Sequence, residues 1–570
     1  MSETLAASLP PTDLETELAA LEVARVAALA KVEKLQNVSG GGIDELSDEF
    51  IDSVVRHTID KLRQELVVFG RIDDDHPWRI GLYGIDSAGE QLVVDWRARF
   101  AEGFYQATLD NPHGLRARVS YVGCIDDLMV EDFVEGGVSG SSPLMAELSR
   151  GRGTEMRTAV ATLQSDQDRL VRLDPEAHLV LRGGPGTGKT VVGLHRAAWL
   201  VYNDRRITSD NFLIIGPSDK FLRFVSSVLP TLGEHRIVQT TFDRHLGPSS
   251  EAGSDPRWLE VLDSFEASLP APTTIRSGGR WIPEEEVAEL VGRIVALATP
   301  WRERRKIFLA RVANRLEIPA AEAQRVAGSV FPAMSATAAW KKICSRATLV
   351  ALNTPPDLVE RWMATKFDGG LQDEVKSRFE GINSRYAHVI VDEAQDLTLF
   401  QLRAVLRRAA GVTLVGDDAQ RSVAGGLGLR AIAEQLNVPL EQMRTAYRMS
   451  AEIAVWLNGW ASEFGIDAVE LLGIRPTGRE VRVVDDPVQA HQKASTRWGN
   501  VALITAEDVW IHKGVEYDAV VVDARQMTPA EVYLAASRAA HELLVHGIEH
   551  TTSSFEAANT HDVANTQGEL

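Results

Sequence analysis

HLVLRGGPGTGKTVVGLHRAAWL, residues 178–200, is the stretch on which the reading of the fold turns. An apolar run, HLVLR, leads into GGPGTGKT (183–190), and an apolar segment of helical character follows. The octapeptide fits G-x-x-x-x-G-K-[ST], and strand–turn–helix is the context that pattern needs to hold phosphate. Gly183, Gly184, Pro185, Gly186, Thr187 and Gly188 form a loop whose backbone N–H groups can crowd around phosphates. Lys189 reaches the outer phosphates and Thr190 holds Mg²⁺, so ATP with Mg²⁺ is the expected cofactor pair.

Further along, short apolar runs again end in acidic or small polar residues. VIVDEAQD (389–396) places Asp392 to hold Mg²⁺, with Thr190, and Glu393 to polarise an attacking water. GDDAQ (416–420) puts Gln420 at the end of the next strand, where it can sense a γ-phosphate. AYRMS supplies Tyr447 and Arg448, KGVEYD (513–518) supplies Gly514 and Glu516, and SRAA (537–540) supplies Arg538. Arg448 and Arg538 are cations of the kind that meet transferred phosphoryl charge across a cleft. The catalytic set is therefore Lys189, Asp392, Glu393, Gln420, Arg448 and Arg538.

The runs HLVL, FLIIG, HVIVD and TLVGD alternate with helical patterns and predict buried parallel strands. The fold class is α/β, with two P-loop-type units built on parallel sheets, an N-terminal helical hairpin and an inserted, mainly helical domain. Residues 1–68 are the hairpin, with Leu14, Leu18, Leu21, Ala28, Val32 and Leu35 as a coiled-coil seam and Thr12 and Glu15 as a capping box. Its second arm starts acidic (Asp44, Glu45, Asp48, Glu49, Asp52), which suits either a solvated helix start or a functional tip. At 1.5 Å per residue each arm spans roughly 35 Å.

Residues 69–150 are a small β-rich module packing on the first α/β domain, and 151–248 are that domain's first part. Residues 249–385 are the helical insert, in which Arg302, Arg304, Arg305 and Lys306 read as a solvated face, with partner contact as the alternative. Residues 386–440 complete the first domain, 441–550 form the second, and 551–570 are a polar tail expected to be disordered.

The 570 residues carry 60 Lys and Arg against 80 Asp and Glu, a formal net charge of −20. Phosphate affinity for a polynucleotide comes largely from Lys and Arg. The acidic balance therefore predicts weak or no direct nucleic-acid binding and attraction to a basic protein surface. No basic-then-apolar leader and no long apolar span is visible, so a cytoplasmic protein without membrane association is expected. Cys124 and Cys344 lie far apart and form no ligand set.

In order, the P-loop, DEAQD, GDDAQ, YR, KGVE and SRA resemble superfamily 1 helicases of the UvrD type over about 160–245 and 386–548. That resemblance implies ATP hydrolysis between two RecA-like halves. It also implies that Gln167 reads adenine, Tyr447 stacks on it, and Arg448 and Arg538 meet the γ-phosphate. A closer resemblance spans nearly the whole chain. FGRID (69–73), VVDWRARFAEGFYQAT (93–108), GPSDKFLRFVSSVLPTLGE (216–234) and the hairpin are similar to HelD, a family of ATPases that associate with bacterial RNA polymerase.

What this implies is a monomeric recycling factor bound to core RNA polymerase. The hairpin would enter the secondary channel, the insert would prise at the main channel, and some relatives displace rifamycins. The alternative is a 3′–5′ DNA helicase or translocase. Against it, RSVAGGLGLR (421–430) lacks the aromatic that such enzymes place after GDDxQ, and DVWIHKGVE breaks their T-x-H pattern. Both the hairpin and the stretch from Arg448 to Lys513 are short for the HelD family.

Overall fold

The computed structural model describes residues 14–38, 68–107, 111–122, 129–134, 137–140, 163–232, 237–382 and 384–548. Among them the chain forms a mixed α/β protein with two parallel sheets in sequence and a helical insertion in the first. The acidic start of the second hairpin arm, the residue Thr12, and the tail 551–570 lie outside the described residues.

Strands β1 (Val68–Asp73), β2 (Pro77–Gly81), β3 (Ile85–Ser87), β4 (Glu90–Asp95), β5 (Ala117–Val122), β6 (Met129–Val134) and β7 (Gly137–Gly140) make one sheet, ordered β3-β4-β2-β1-β5-β6-β7. The N-terminal helix Leu14–Val38 docks on it. Leu21, Ala24 and Ala28 bury against Val68, Ile85, Val93, Val119 and Tyr121. Two positions of the expected coiled-coil seam thus face a sheet, because that sheet offers a larger apolar surface than a single partner helix. Glu17 is buried with them and accepts from Tyr121 Oη (2.6 Å), Arg79 (3.0 Å) and Arg71.

The first RecA-like sheet comprises β8 (Leu179–Gly183), β9 (Phe212–Gly216), β10 (Val238–Thr241), β13 (Tyr386–Val391), β14 (Ala409–Gly416) and β15 (Leu440–Met443), ordered β10-β9-β13-β14-β8-β15. All its pairings are parallel. Because β15 pairs with β8, the first half runs to Met443, past the boundary at 440. The β-rich module shares one core with this half: Phe69, Trp96, Phe104 and Tyr105 pack with Leu170, Leu179, Val192 and Leu194.

The insert interrupts the sheet between β10 and β13 and has its own core. Trp258 stacks on Trp362 with centroids 4.2 Å apart, and Trp301 stacks on Phe331 at 4.2 Å. A small hairpin, β11 (Ile275–Ser277) and β12 (Arg280–Ile282), breaks its helical run. The basic cluster near its centre is not a solvated face throughout. Arg304 pairs with buried Glu266 at 2.7 Å, and Arg305 donates to Phe331 O at 3.0 Å. Their helix lies against neighbours on that side, so only Arg302 and Lys306 remain mostly exposed.

The insert is tied to the core by a buried acid pair on helix Gly369–Phe379. Glu374 accepts from Arg378 (2.8 Å), Arg403 (3.0 Å) and Arg407, while Asp373 accepts from Arg407 (2.9 Å) and Arg408. Burial pushes the Glu374 carboxyl up, but the guanidinium groups of Arg403, Arg407 and Arg378 outweigh it and hold it at about 2.

The second half has strands β18 (Arg482–Val483), β19 (Val501–Ile504), β20 (Tyr517–Asp523) and β21 (Ala539–His546), ordered β18-β21-β20-β19 and parallel. A two-stranded ribbon, β16 (Thr445–Ser450) with β17 (Leu472–Arg475), leads into it.

A buried arginine holds the first half together. Arg196, on the P-loop helix Lys189–Asn203, is fully buried. It donates to the carbonyls of Val171 (3.1 Å), Leu173 (2.7 Å) and Asp174 (2.9 Å) and to Thr413 Oγ1 (3.0 Å). His388 completes the cluster, 2.9 Å from Thr413 Oγ1. Burial lowers the Arg196 pKa to about 10, so it stays cationic at neutral pH. Arg196→Leu removes every donor to those carbonyls. Equilibrium denaturation is expected to show a loss of about 3–5 kcal/mol, the cost of breaking a buried charged network from one side. A change below about 1 kcal/mol would mean water replaces the guanidinium.

Candidate nucleotide site

Strands β8, β13 and β14 end side by side, which brings GGPGTGKT, DEAQD and GDDAQ to one edge of the sheet. This is the carboxyl edge, where parallel α/β sheets bind their ligands.

The loop itself is shaped by glycine. Gly186 and Gly188 have φ of +71° and +87°, which side chains rarely adopt. A Cβ on Gly184 would meet Leu471 of the second half at 2.3 Å, so only glycine lets the halves approach there. Lys189 Nζ donates to Gly184 O at 2.8 Å, folded over the loop it belongs to. Thr187 is buried and donates to the same carbonyl at 2.8 Å. Tyr447 N donates to Gly186 O at 3.1 Å, so the tyrosine is anchored directly over the loop.

Thr190 Oγ1 donates to Asp392 Oδ2 at 2.8 Å. Burial, with the neighbouring Glu393 charge added, lifts the Asp392 carboxyl to about 6. A divalent cation beside it would reverse that shift. Hydroxyl and carboxylate are hard oxygen donors, and Mg²⁺ commonly takes one or two such ligands plus phosphate oxygens and waters. Among the described residues no group of three or more His, Cys, Asp or Glu side chains could hold a metal without such help. The pair Thr190 and Asp392 thus fits a Mg²⁺–triphosphate.

Glu393 sits in the left-handed region at φ +55°, a strained conformation of the kind stored at functional sites. Its Oε2 accepts from Gln395 Nε2 at 2.6 Å. Gln395 Oε1 in turn accepts from Asp417 N at 3.0 Å, linking DEAQD to GDDAQ. Gln420 Nε2 donates to Asp417 Oδ2 at 2.8 Å, and Gln420 Oε1 accepts from Arg538 Nη2 at 2.9 Å. Burial raises Asp417 and lowers Arg538. Arg538 and Gln420 thus join the halves through a single buried hydrogen bond.

Arg448 and Arg538 line one small pocket together with Gly186 and Glu516. Arg448 pairs with Glu516 at 3.1 Å and is partly exposed. Gly514 has φ +76° in the turn that places Glu516. Gln167 is buried on helix Ser165–Val171; its Nε2 donates to Thr187 O at 3.1 Å, and its Oε1 accepts from Gln164 N at 3.1 Å.

Sequence reasoning missed Lys513. Delivered by the second half, its Nζ lies 3.3 Å from Glu393, 2.8 Å from Asp396, 2.9 Å from Gln420 O and 3.0 Å from Ser422 Oγ. It stood inside the quoted KGVEYD motif, but its partners are more than ninety positions away in sequence. Gln395 and Asp417 were missed for the same reason, since each acts by connecting two motifs.

Residues 12–128 match the family model of the N-terminal domain of DNA helicase IV HelD. Residues 167–426 match that of an AAA domain of the helicase type. Over the first of these stretches the chain is similar to HelD. No curated protein matches it. Solved structures similar to this chain include an Arterivirus nonstructural protein 10 helicase, 12% identical, covering 77% of this chain and 72% of that chain, with a TM-score of 0.29. Its complex with DNA is also 12% identical, over 77% and 75%, at 0.30. The PRRSV helicase is 14% identical, over 76% and 62%, at 0.29. The N-terminal match covers the docked helix and the sheet as far as β5, the part whose core is continuous with the P-loop half. No described helix is long and apolar enough to cross a membrane.

Proposed function

We propose that the protein hydrolyses ATP with Mg²⁺, binds core RNA polymerase in the cytoplasm as a monomer, and releases the enzyme from nucleic acid and from rifamycin-type inhibitors. The observation that carries this reading is the pairing of a HelD N-terminal domain with a helicase-type nucleotide domain whose site residues meet in one cleft. Lys189 and the loop amides hold the phosphates, Thr190 and Asp392 hold the metal, and Glu393 takes a proton from water. Gln167 and Tyr447 hold the base. Gln420, Arg448, Glu516 and Arg538 tie the state of the nucleotide to the contact between halves. The hairpin is the part assigned to the secondary channel and the insert to the main channel. The Asp373–Glu374 cluster gives the insert a stiff attachment to helix Leu399–Arg408, which begins just after DEAQD.

A 3′–5′ helicase or translocase is the second reading. It is favoured by Trp510, which is 45% exposed just ahead of Lys513 and offers an aromatic handhold of the kind that 421–430 lacks. One experiment separates the two. Purified protein at moderate salt is expected to retain core RNA polymerase on a pull-down and, with ATP, to free it from a preformed DNA complex. Failure to bind polymerase, together with ATPase stimulated by bare single-stranded DNA, would transfer the assignment to the second reading.

A further inference from the structure

Two helices bracket the phosphate loop, Ser165–Val171 with Gln167 and Lys189–Asn203 with Lys189 and Thr190. The β-rich module grips both. On the second, Trp96 packs edge-on against His195 with ring centroids 5.3 Å apart, and Asn203 Nδ2 donates to Arg97 O at 2.8 Å. On the first, the contact is polar and buried. Asp168, the residue after Gln167, has no exposed surface. Its Oδ2 accepts from Gln106 Nε2 at 2.9 Å, and Arg172 Nε donates to both carboxylate oxygens, at 2.8 Å to Oδ1 and 2.9 Å to Oδ2. Arg172 continues the link, donating to Ala98 O and Trp96 O at 3.2 Å each.

We infer that Gln106 is a positioning residue for adenine recognition: through Asp168 it fixes the helix that carries Gln167 against the phosphate loop. This rests on the reading of the site as an ATP site. Gln106 belongs to the short helix Glu102–Gln106, held in the shared core by Phe104 and Tyr105, so it is a stiff support. Asp168 needs it because a buried carboxylate keeps its charge only when its lone pairs are met by donors. Gln167 is itself held at both ends of its carboxamide, Nε2 donating to Thr187 O and Oε1 accepting from Gln164 N, at 3.1 Å each. A small rotation of the Ser165–Val171 helix therefore displaces the carboxamide from the base position while leaving Lys189 and Thr190, on the other helix, in place. Base recognition and phosphate binding are separable in this geometry, and the N-terminal module supports the first.

The test measures equilibrium binding of ATP, GTP and inorganic tripolyphosphate, each with Mg²⁺, to the full chain. Wild type is expected to prefer ATP over GTP. Gln106→Leu is expected to weaken ATP by about three- to tenfold, the effect of one lost buried hydrogen bond, and to leave GTP and tripolyphosphate within about twofold. Gln106→Lys restores a donor to Asp168 and should return the preference for ATP, which separates a positional effect from misfolding. Equal losses for all three ligands, or unchanged ATP binding in Gln106→Leu, would overturn the inference. Wild-type protein that binds none of the ligands would instead overturn the reading of the site, and the inference with it.

Discussion

Lys189→Ala is expected to lower ATP turnover by about 10²–10³-fold, the usual effect of removing one preorganised charge from a site where negative charge develops. Lys189 starts the P-loop helix, and its ammonium lies 2.8 Å from Gly184 O, within the curl of the loop. A triphosphate in that curl offers better acceptors than a carbonyl, so the ammonium would exchange one for the other. Alanine keeps the helix, which needs no side chain there to start, since Gly188 makes the left-handed entry. Folding and polymerase retention should therefore survive while steady-state phosphate release is lost. Turnover within tenfold of wild type would place the phosphates elsewhere. Loss of polymerase binding together with turnover would count against a partner surface separate from the nucleotide site.

Arg538→Ala should cost about 10³-fold in kcat with KM moved only a few-fold, as for an arginine that meets charge mainly in the transition state. The side chain is buried in the contact between halves. Leu534 O (3.3 Å) and Ser537 Oγ (2.8 Å) hold it on its own side, and Gln420 Oε1 (2.9 Å) meets it on the other. Its removal leaves Gln420 Oε1 without this donor and weakens the link between γ-phosphate sensing and closure. Arg538→Lys should rescue little, because a point charge cannot reproduce the planar fork that spans Ser537 and Gln420. Pre-steady-state hydrolysis would check the assignment: a large rise in KM with kcat preserved would make Arg538 a ground-state binder only.

Comparing the chain as read with the chain as folded shows where local pattern is informative. The P-loop and Asp392 were legible because each follows directly on a short apolar strand, and a strand that must be buried on both faces has few places to put a polar residue except its end. Gln420, expected at a strand end, instead closes the turn Asp418–Gln420 after the strand stops at Gly416. The insert was legible as an interruption of that series, though its small hairpin was not. Lys513, Gln395 and Asp417 were not recognised as connectors, since their roles exist only between segments far apart in sequence. Arg304 and Arg305 misled for a related reason. A run of cations reads as a solvated face, and only the neighbouring helix bearing Glu266 and the carbonyl of Phe331 reveal that the two are partly buried.

By itself, the sequence determined the α/β class, the place of the phosphate loop and the identity of the acids around it, because periodicity and turn chemistry act over a few residues. Tertiary structure alone decided that the N-terminal helix docks on a sheet, that this sheet shares a core with the nucleotide half, and that Gln106 reaches Asp168 across 62 positions. Those contacts depend on which apolar faces find each other in three dimensions, and burial of that kind has no local signature.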